Sequence, residues 1–255
     1  MTTIKSGLAK IISFFPGGKS FLRKRTYINN KRWFTQIGDA KKVFRHHYET
    51  NTWGSAESAS GPGSTIEYTE KIRRILPRLI SDLGISMILD APCGDYNWFK
   101  LIQWEKNITY IGGDIVEPLT ARNQALYGSA NTRFINLDII HDALPKVDMW
   151  LCRDCLFHLS DNDVMLALNN FLRSDIHYLL TSTHPDCDRN YDIPTGSFRL
   201  LNLQLPPYSL CNPIRAIDDW IEGYPIRHLA LWDRESLRNN LASNKKFMRI
   251  TKHCR

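Results

Sequence analysis

Three acidic residues stand at the ends of three successive apolar stretches: Asp90 in 86–91, Asp114 in 109–115, and Asp138 at the end of 131–138 (NTRFINLD). If each stretch is a strand of one sheet, the carboxylates fall along its carboxyl edge, where doubly wound folds bind ligands. The first acid opens the run Asp90-Ala91-Pro92-Cys93-Gly94-Asp95-Tyr96-Asn97-Trp98. Gly94 in that turn lets a ligand approach the backbone closely. A carboxylate at Asp90 suits a cationic ammonium. Asp114 can accept from both hydroxyls of a ribose. Asp138 can accept from an adenine amino group, with the Ile139 N–H completing the purine contact. One such Asp alone reads as a helix cap or turn; three in consecutive units point to a nucleoside that carries positive charge. A dinucleotide needs G-x-G-x-x-G here, and Asp90 would repel its phosphates.

Proton-transfer chemistry has its own candidates. Arg153, Asp154 and His158 follow the fourth apolar stretch, 147–152. Asp154 and His158 are four apart and can share one face of a turn, the carboxylate orienting the imidazole as a general base; the plain alternative is a histidine packed under the next helix. His184, just past the fifth stretch, is a second candidate. Cys152 and Cys155 form a CxxC near His158, His184 and Cys187. Zinc is a rival use of this set, but there is no second CxxC and Cys152 on a strand faces the core; no metal is expected. For a substrate, Trp53, Ser64 and Thr65 in the Gly/Ser-rich loop 51–65, His184, and Arg199 and Asn202 in the stretch 185–215 are the candidate contacts.

The elements that must position these residues alternate. A helix is expected over 66–82, with Ile72, Ile75, Leu76, Leu79 and Ile80 on one face and Gly84 closing it. Strands are expected at 86–91, 109–115, 132–138, 147–152 and 178–183. Helices are expected at 98–104, 117–127 and 161–172, the last opened by a Ser160/Asp163 capping box. The alternation implies an α/β domain with a mostly parallel sheet and helices on both faces. In the less regular last third, 185–215 reads as an insertion that builds the substrate side, and 227–233 and 246–253 as two final strands joined by a helix at 234–242.

Composition bounds the rest. The chain has 255 residues, 43% hydrophobic and 23% charged, as in a globular protein rather than a disordered one. No apolar run reaches the ~18–20 residues of a membrane span. Six cysteines are too few for a disulfide scaffold and suggest reduced thiols in the cytoplasm. The net charge of +7 is uneven: residues 1–45 carry +10 and the remainder −3. Residues 1–50 therefore read as a basic N-terminal arm with a helix, and 51–255 as the main domain. Leu8, Ile11, Ile12 and Phe15 have helical spacing within 4–15 and suit peripheral contact with an anionic membrane. Packing on a second subunit and phosphate contacts to nucleic acid are the alternatives.

The run 90–94, with Asp114 and Asp138, resembles the first three motifs of class I S-adenosylmethionine-dependent methyltransferases. Residues 148–160 (DMWLCRDCLFHLS) resemble the fourth motif. Within that family, APCGDYNW together with WGS at 53–55, SGPGST at 60–65 and LNLQLPP at 201–207 is similar to a bacterial subgroup with an APCGDxNW first motif. The chain departs from the family at Pro92 and Tyr96, where glycines are usual. The resemblance implies a Rossmann-like seven-stranded sheet whose last strand is antiparallel to its neighbours. It implies S-adenosyl-L-methionine as cofactor, held by Asp90, Pro92, Cys93, Gly94, Trp98, Asp114, Ile115, Asp138, Ile139 and Arg153. It implies methyl transfer to a hydroxyl or amine of a sugar, a polysaccharide precursor or a small metabolite. An RNA or protein acceptor guided by the arm, and a cofactor-binding module without catalysis, are the rival readings.

Overall fold

A computed structural model describes residues 38–105 and 107–252. The expectations for residues 4–15 and most of the basic arm lie outside these residues.

Seven strands form one sheet: β1 (Met87–Asp90), β2 (Thr109–Asp114), β3 (Thr132–Asn136), β4 (Met149–Cys152), β5 (Tyr178–Thr183), β6 (Arg215–Asp218) and β7 (His228–Asp233). Their order is β3-β2-β1-β4-β5-β7-β6. The first five pair in parallel. β7 runs antiparallel to both β5 and β6, as the resemblance implied.

Period-two alternation along the buried strands divides the core between the two faces. Leu89, Trp150, Cys152, Leu179, Ala230 and Trp232 point to one face. Ile88, Met149, Leu151, Leu180, Leu229 and Leu231 point to the other. The first face is covered by α4 (Asp161–Arg173), α5 (Arg234–Leu241) and α6 (Lys245–Thr251). The second is covered by α2 (Glu70–Asp82), through Ile72, Leu76, Leu79 and Ile80. The remaining helices are α1 (Ala40–Thr50) and α3 (Glu117–Tyr127). α3 follows β2, and its C-terminal Tyr127 packs against the second face.

Most elements lie within a few residues of their expected bounds, and three differ in kind. The stretch 246–253 is a helix, not a strand. Asn244 caps it by accepting from the Phe247 N–H at 3.0 Å, and Phe247 is buried with the α4 face. The place of the expected strand is taken by β6, an edge strand in which only Ile217 is buried, too short for its alternation to register. The expected helix at 98–104 is one 3-10 turn, Phe99–Leu101. β3 ends at Asn136, so Asp138 stands two residues beyond the strand rather than closing it.

Ser160 does cap α4, accepting from the Asp163 N–H at 3.1 Å. The return half of the capping box runs through Thr195, whose hydroxyl takes the Ser160 N–H at 2.9 Å and donates to the Asp163 carboxylate.

Candidate functional site

The carboxyl ends of β1, β2 and β4 open into a cavity of about 400 Å³. Among its lining residues are Asp90, Pro92, Cys93, Gly94, Trp98, Asp114, Ile115, Asp138, Ile139 and Arg153. Trp53, Ser64, Asp154, His158 and His184 line it as well.

Asp90 is the last residue of β1 and is 3% exposed. Its Oδ2 accepts from the Tyr110 hydroxyl at 2.8 Å. Burial outweighs that bond and raises its pKa to about 7. Asp114 ends β2 with each carboxylate oxygen on a backbone N–H: Oδ1 from Val116 at 3.0 Å and Oδ2 from Gly94 at 3.1 Å. The two bonds fix the carboxylate and leave each oxygen a further lone pair. Burial raises Asp114 to about 6. Asp138 caps its own turn, accepting from the Ile140 N–H at 2.8 Å, and pairs with His141 Nδ1 at 2.9 Å.

The turn after β1 is held from above. Gly94 has φ 54°, and a Cβ there would lie 2.0 Å from Ser60 Oγ. Asp95 binds this overlying loop: its carboxylate accepts from Ser58 Oγ at 2.9 Å and from the Ala59 N–H at 2.8 Å, and its N–H donates to Ser60 Oγ at 3.1 Å. Asn97 reaches the same loop, donating to Glu57 Oε1 at 2.8 Å and to the Ser64 carbonyl at 3.2 Å. Tyr96 takes φ 59°, the left-handed backbone that suits the glycine usual there. Its ring turns away from the turn and packs on Tyr110 and Phe134, with centroids 4.9 and 5.0 Å apart.

Beyond β4 lies a buried ion network. Asp219, 1% exposed, accepts from Arg153 Nε at 2.9 Å and Nη2 at 3.0 Å, and from Arg227 Nε at 3.1 Å. Arg227 Nη1 then holds Asp154 Oδ1 at 2.6 Å, and Arg153 Nη1 lies 3.4 Å from Oδ2. Burial opposes ionisation of Asp154, yet the two guanidinium groups hold it below the usual carboxylate range. Arg153 also stacks over Trp98, 5.3 Å from the ring centre. Its planar face and all three of its nitrogens are thus engaged within the protein.

The expected Asp154–His158 dyad is not formed. Asp154 turns to Arg227 and Ser182, while His158 Nδ1 donates to the Ser197 carbonyl at 2.8 Å. A carbonyl only accepts, so the proton sits on Nδ1 and Nε2 carries the lone pair. Burial among aromatic rings pushes His158 down to about 4, which keeps it neutral at pH 7. His184 is the complement: its Nδ1 accepts the Leu201 N–H at 3.2 Å, placing the ring proton on Nε2. Burial lowers it to about 4 as well.

Three expected contacts lie elsewhere. Arg199 is buried against Asp161 at 3.0 Å and Tyr208 at 2.8 Å, bracing α4 to the 185–215 stretch. Asn202 ties that stretch to itself through Asn190 and the Cys187 carbonyl. The Thr65 hydroxyl donates to the Pro62 carbonyl at 3.0 Å. All three are polar residues spent on bonds within the protein, Arg199 chiefly on side chains and the other two on loop backbone, which their types alone do not reveal. Cys152 and Cys155 are buried free thiols, and no group of three metal-ligating side chains is found among the described residues.

Other lining residues had no sequence assignment. Ala40, Phe44 and Tyr48, spaced i, i+4, i+8, put one face of α1 on the cleft, while Val43 and His47 face inward. His47 Nε2 donates to the Gly196 carbonyl at 3.0 Å. The helical spacing of 40, 44 and 48 was a readable signal. Phe198 and Tyr224 come from irregular segments and carry none, while Arg227 opens the expected strand 227–233 without its type revealing a place at the cleft.

No protein-family model matches the chain, and no curated protein matches it. Solved structures do resemble it. Magnesium protoporphyrin IX methyltransferase from Synechocystis, solved with S-adenosylmethionine, superposes with a TM-score of 0.52 at 15% identity, over 77% of this chain and 97% of that one. The 1,6-didemethyltoxoflavin-N1-methyltransferase of Burkholderia thailandensis, solved with 1,6-didemethyltoxoflavin and S-adenosylhomocysteine, gives 0.53 at 16% identity, over 75% and 87%. The chain therefore has the Rossmann-like methyltransferase fold. No helix among the described residues is long and apolar enough to cross a membrane.

Proposed function

We propose that this protein is an enzyme that transfers the methyl group of S-adenosyl-L-methionine to a hydroxyl or amine of a small-molecule acceptor. The observation that carries the reading is one continuous cleft lined by Asp90, the Gly94 turn, Asp114, the 138–139 turn and His158 together. The APCGDYNW motif and its bacterial subgroup support the same reading. So do the two solved relatives, whose names describe methyltransferases of small molecules.

The residues fit this cofactor. Asp90 offers a carboxylate to the methionine ammonium, without the phosphate-cradling glycines a dinucleotide needs. Asp114 is held by two backbone bonds with lone pairs left for the ribose hydroxyls. Ile115, Leu137 and Ile139 supply apolar walls for the adenine. Bound there, S-adenosylmethionine supplies a methyl group on cationic sulfur, already activated for transfer. The protein's task is to align the acceptor with that methyl and to take its proton. His158 Nε2 is the proton acceptor, oriented by the Ser197 carbonyl in place of a carboxylate. Arg153 acts through Asp154 and Trp98 rather than on the cofactor.

Titration calorimetry with S-adenosylmethionine and S-adenosylhomocysteine tests the site. Asp114→Ala should weaken both by at least about tenfold, the loss expected for a charged acceptor removed from two hydroxyls, with the fold retained by circular dichroism. Equal affinity in the variant would refute the ribose assignment.

A further inference from the structure

We propose that the acceptor half of the cleft is built for a flat aromatic ring carrying an acidic O–H or N–H, a phenol or a heteroaromatic hydroxyl, and not for a sugar. The inference rests on the methyl-transfer reading above and names its substrate class.

The walls come first. The His158 ring lies 4.6 Å from Trp53, 4.6 Å from Phe157 and 5.8 Å from Phe198, centroid to centroid. Phe198 is 53% exposed and Tyr224 45%, yet both line the cleft. Large aromatic rings left open to a cleft gain by stacking on another flat, apolar ring.

The charges come second. Asp154, Arg153 and Arg227 are the ionic side chains at this end, and they are tied to one another and to Asp219. Among the described residues, these two cations and two anions balance and leave no net charge for a phosphorylated or nucleotide-linked sugar.

The polar partners come third. A sugar brings several hydroxyls, and each one buried without a partner loses its hydration with nothing in return. Among the described residues, and beside the paired Asp154 and the tyrosine and serine hydroxyls of the lining, the imidazoles here offer one lone pair, His158 Nε2, and one N–H, His184 Nε2. One acceptor and one donor complement a single hydroxyl. A base as weak as the enclosed His158 is also better matched to a phenolic proton than to an aliphatic one. The ring oxygen forms the new bond to the methyl carbon as the S–CH₃ bond breaks, its electron pair returning to sulfur. The O–H proton passes to His158 Nε2 and then to water. The products are the aryl methyl ether and S-adenosylhomocysteine.

The test uses the full chain saturated with S-adenosylhomocysteine, with ligand binding followed by saturation-transfer NMR and titration. The aromatic probes are 1-naphthol, 7-hydroxycoumarin and 8-hydroxyquinoline; the sugar probes are methyl glucoside, glucosamine and uridine diphosphate glucose. At least one aromatic probe should bind about tenfold or more tightly than every sugar. Phe198→Ala and Trp53→Leu should each weaken it by about fivefold or more, as loss of a stacking wall predicts, with S-adenosylhomocysteine affinity unchanged in Phe198→Ala. Sugar binding as tight as aromatic binding, no binding by any aromatic probe, or aromatic binding indifferent to both substitutions would overturn the inference while leaving methyl transfer standing. Failure of S-adenosylhomocysteine itself to bind would overturn both.

Discussion

Asp90 sits at the end of β1 as a carboxyl group that burial has made a weak acid, with a pKa near 7. An ammonium partner binds only the ionised form. Cofactor affinity should therefore climb as pH rises from about 5.5 to 7 and level off above, with protons released on binding near pH 6.5. Titration calorimetry in two buffers of different ionisation enthalpy measures both; a flat affinity and no proton release across that range would remove Asp90 from the ammonium. At His158 the expected result is different in kind. His158→Gln should lower kcat by about 10²–10⁴, the usual worth of a general base, with cofactor Kd unchanged. Equal losses in turnover and cofactor binding would assign the ring to packing. Asp90 was legible in the sequence because an acid coincided with a strand end, and His158 because an imidazole stands four residues after Asp154 in the turn beyond β4. The partner of His158 was not. A carbonyl at Ser197 does the orienting that Asp154 was expected to do, and a backbone acceptor leaves no trace in residue types. Asp219 is hidden for a related reason: it lies in an irregular segment, and only the fold brings it between Arg153 and Arg227.

The loop 53–64 and the turn after β1 act as one element, fastened by Asp95 and Asn97. Two of the eight residues of the APCGDYNW run, Asp95 and Asn97, thus serve to hold a second segment over the turn. Asp95→Ala leaves Ser58, Ala59 and Ser60 without that carboxylate. It should raise the Kd for cofactor by about tenfold, through loss of charge-assisted bonds of about 1.5–3 kcal/mol each in part offset by water. Unchanged cofactor affinity would show the loop to be dispensable. Gly63 marks where the loop meets the network, since a Cβ there would stand 2.5 Å from Asp154 Oδ2. Gly63→Ala should push Asp154 off Arg227 and lower turnover more than cofactor affinity, read from kcat and Kd in parallel; matched losses would place the strain on the cofactor side instead. At this scale the sequence was readable wherever an element was long and periodic. α2 and α4 follow their apolar spacing, and β5 spans its expected residues. It misled where a short element carries one buried residue, as in β6, or where a cap outweighs a β-like composition, as Asn244 does for α6. α1 is the remaining case. Its charge drew it into the basic arm, yet its Ala40–Phe44–Tyr48 face is a wall of the cleft.

Across the whole molecule the cleft sets up two opposed titrations. Asp90 and Asp114, raised by burial to about 7 and about 6, hold protons in the folded state that the unfolded chain has already lost. Their contribution to stability is full below about pH 4, the ordinary carboxylate value, and declines as pH rises towards 6–7. His158 and His184, lowered by burial to about 4, refuse protons that the unfolded chain binds below about 6.5. Their contribution is full above about 6.5 and is lost as pH falls towards 4. The four shifts thus act over nearly the same window with opposite signs, and in the ligand-free protein they largely cancel. Substitution should expose the hidden slopes. Relative to the parent, Asp90→Asn keeps an acceptor for Tyr110, removes one falling term, and should be stabilised more at pH 7.5 than at pH 4.5. His158→Gln removes one rising term and should be stabilised more at pH 4.5 than at pH 7.5. Each uncompensated proton amounts to at most about 1.4 kcal/mol per pH unit. Urea unfolding of the parent and both variants at the two pH values reads the difference directly. Parallel shifts of the two variants would mean that the carboxylate and the imidazole do not share a buried cleft. A divergence of opposite sign would establish that the same enclosure, formed by the sheet edge, α1 and the loop above it, suppresses charge on both.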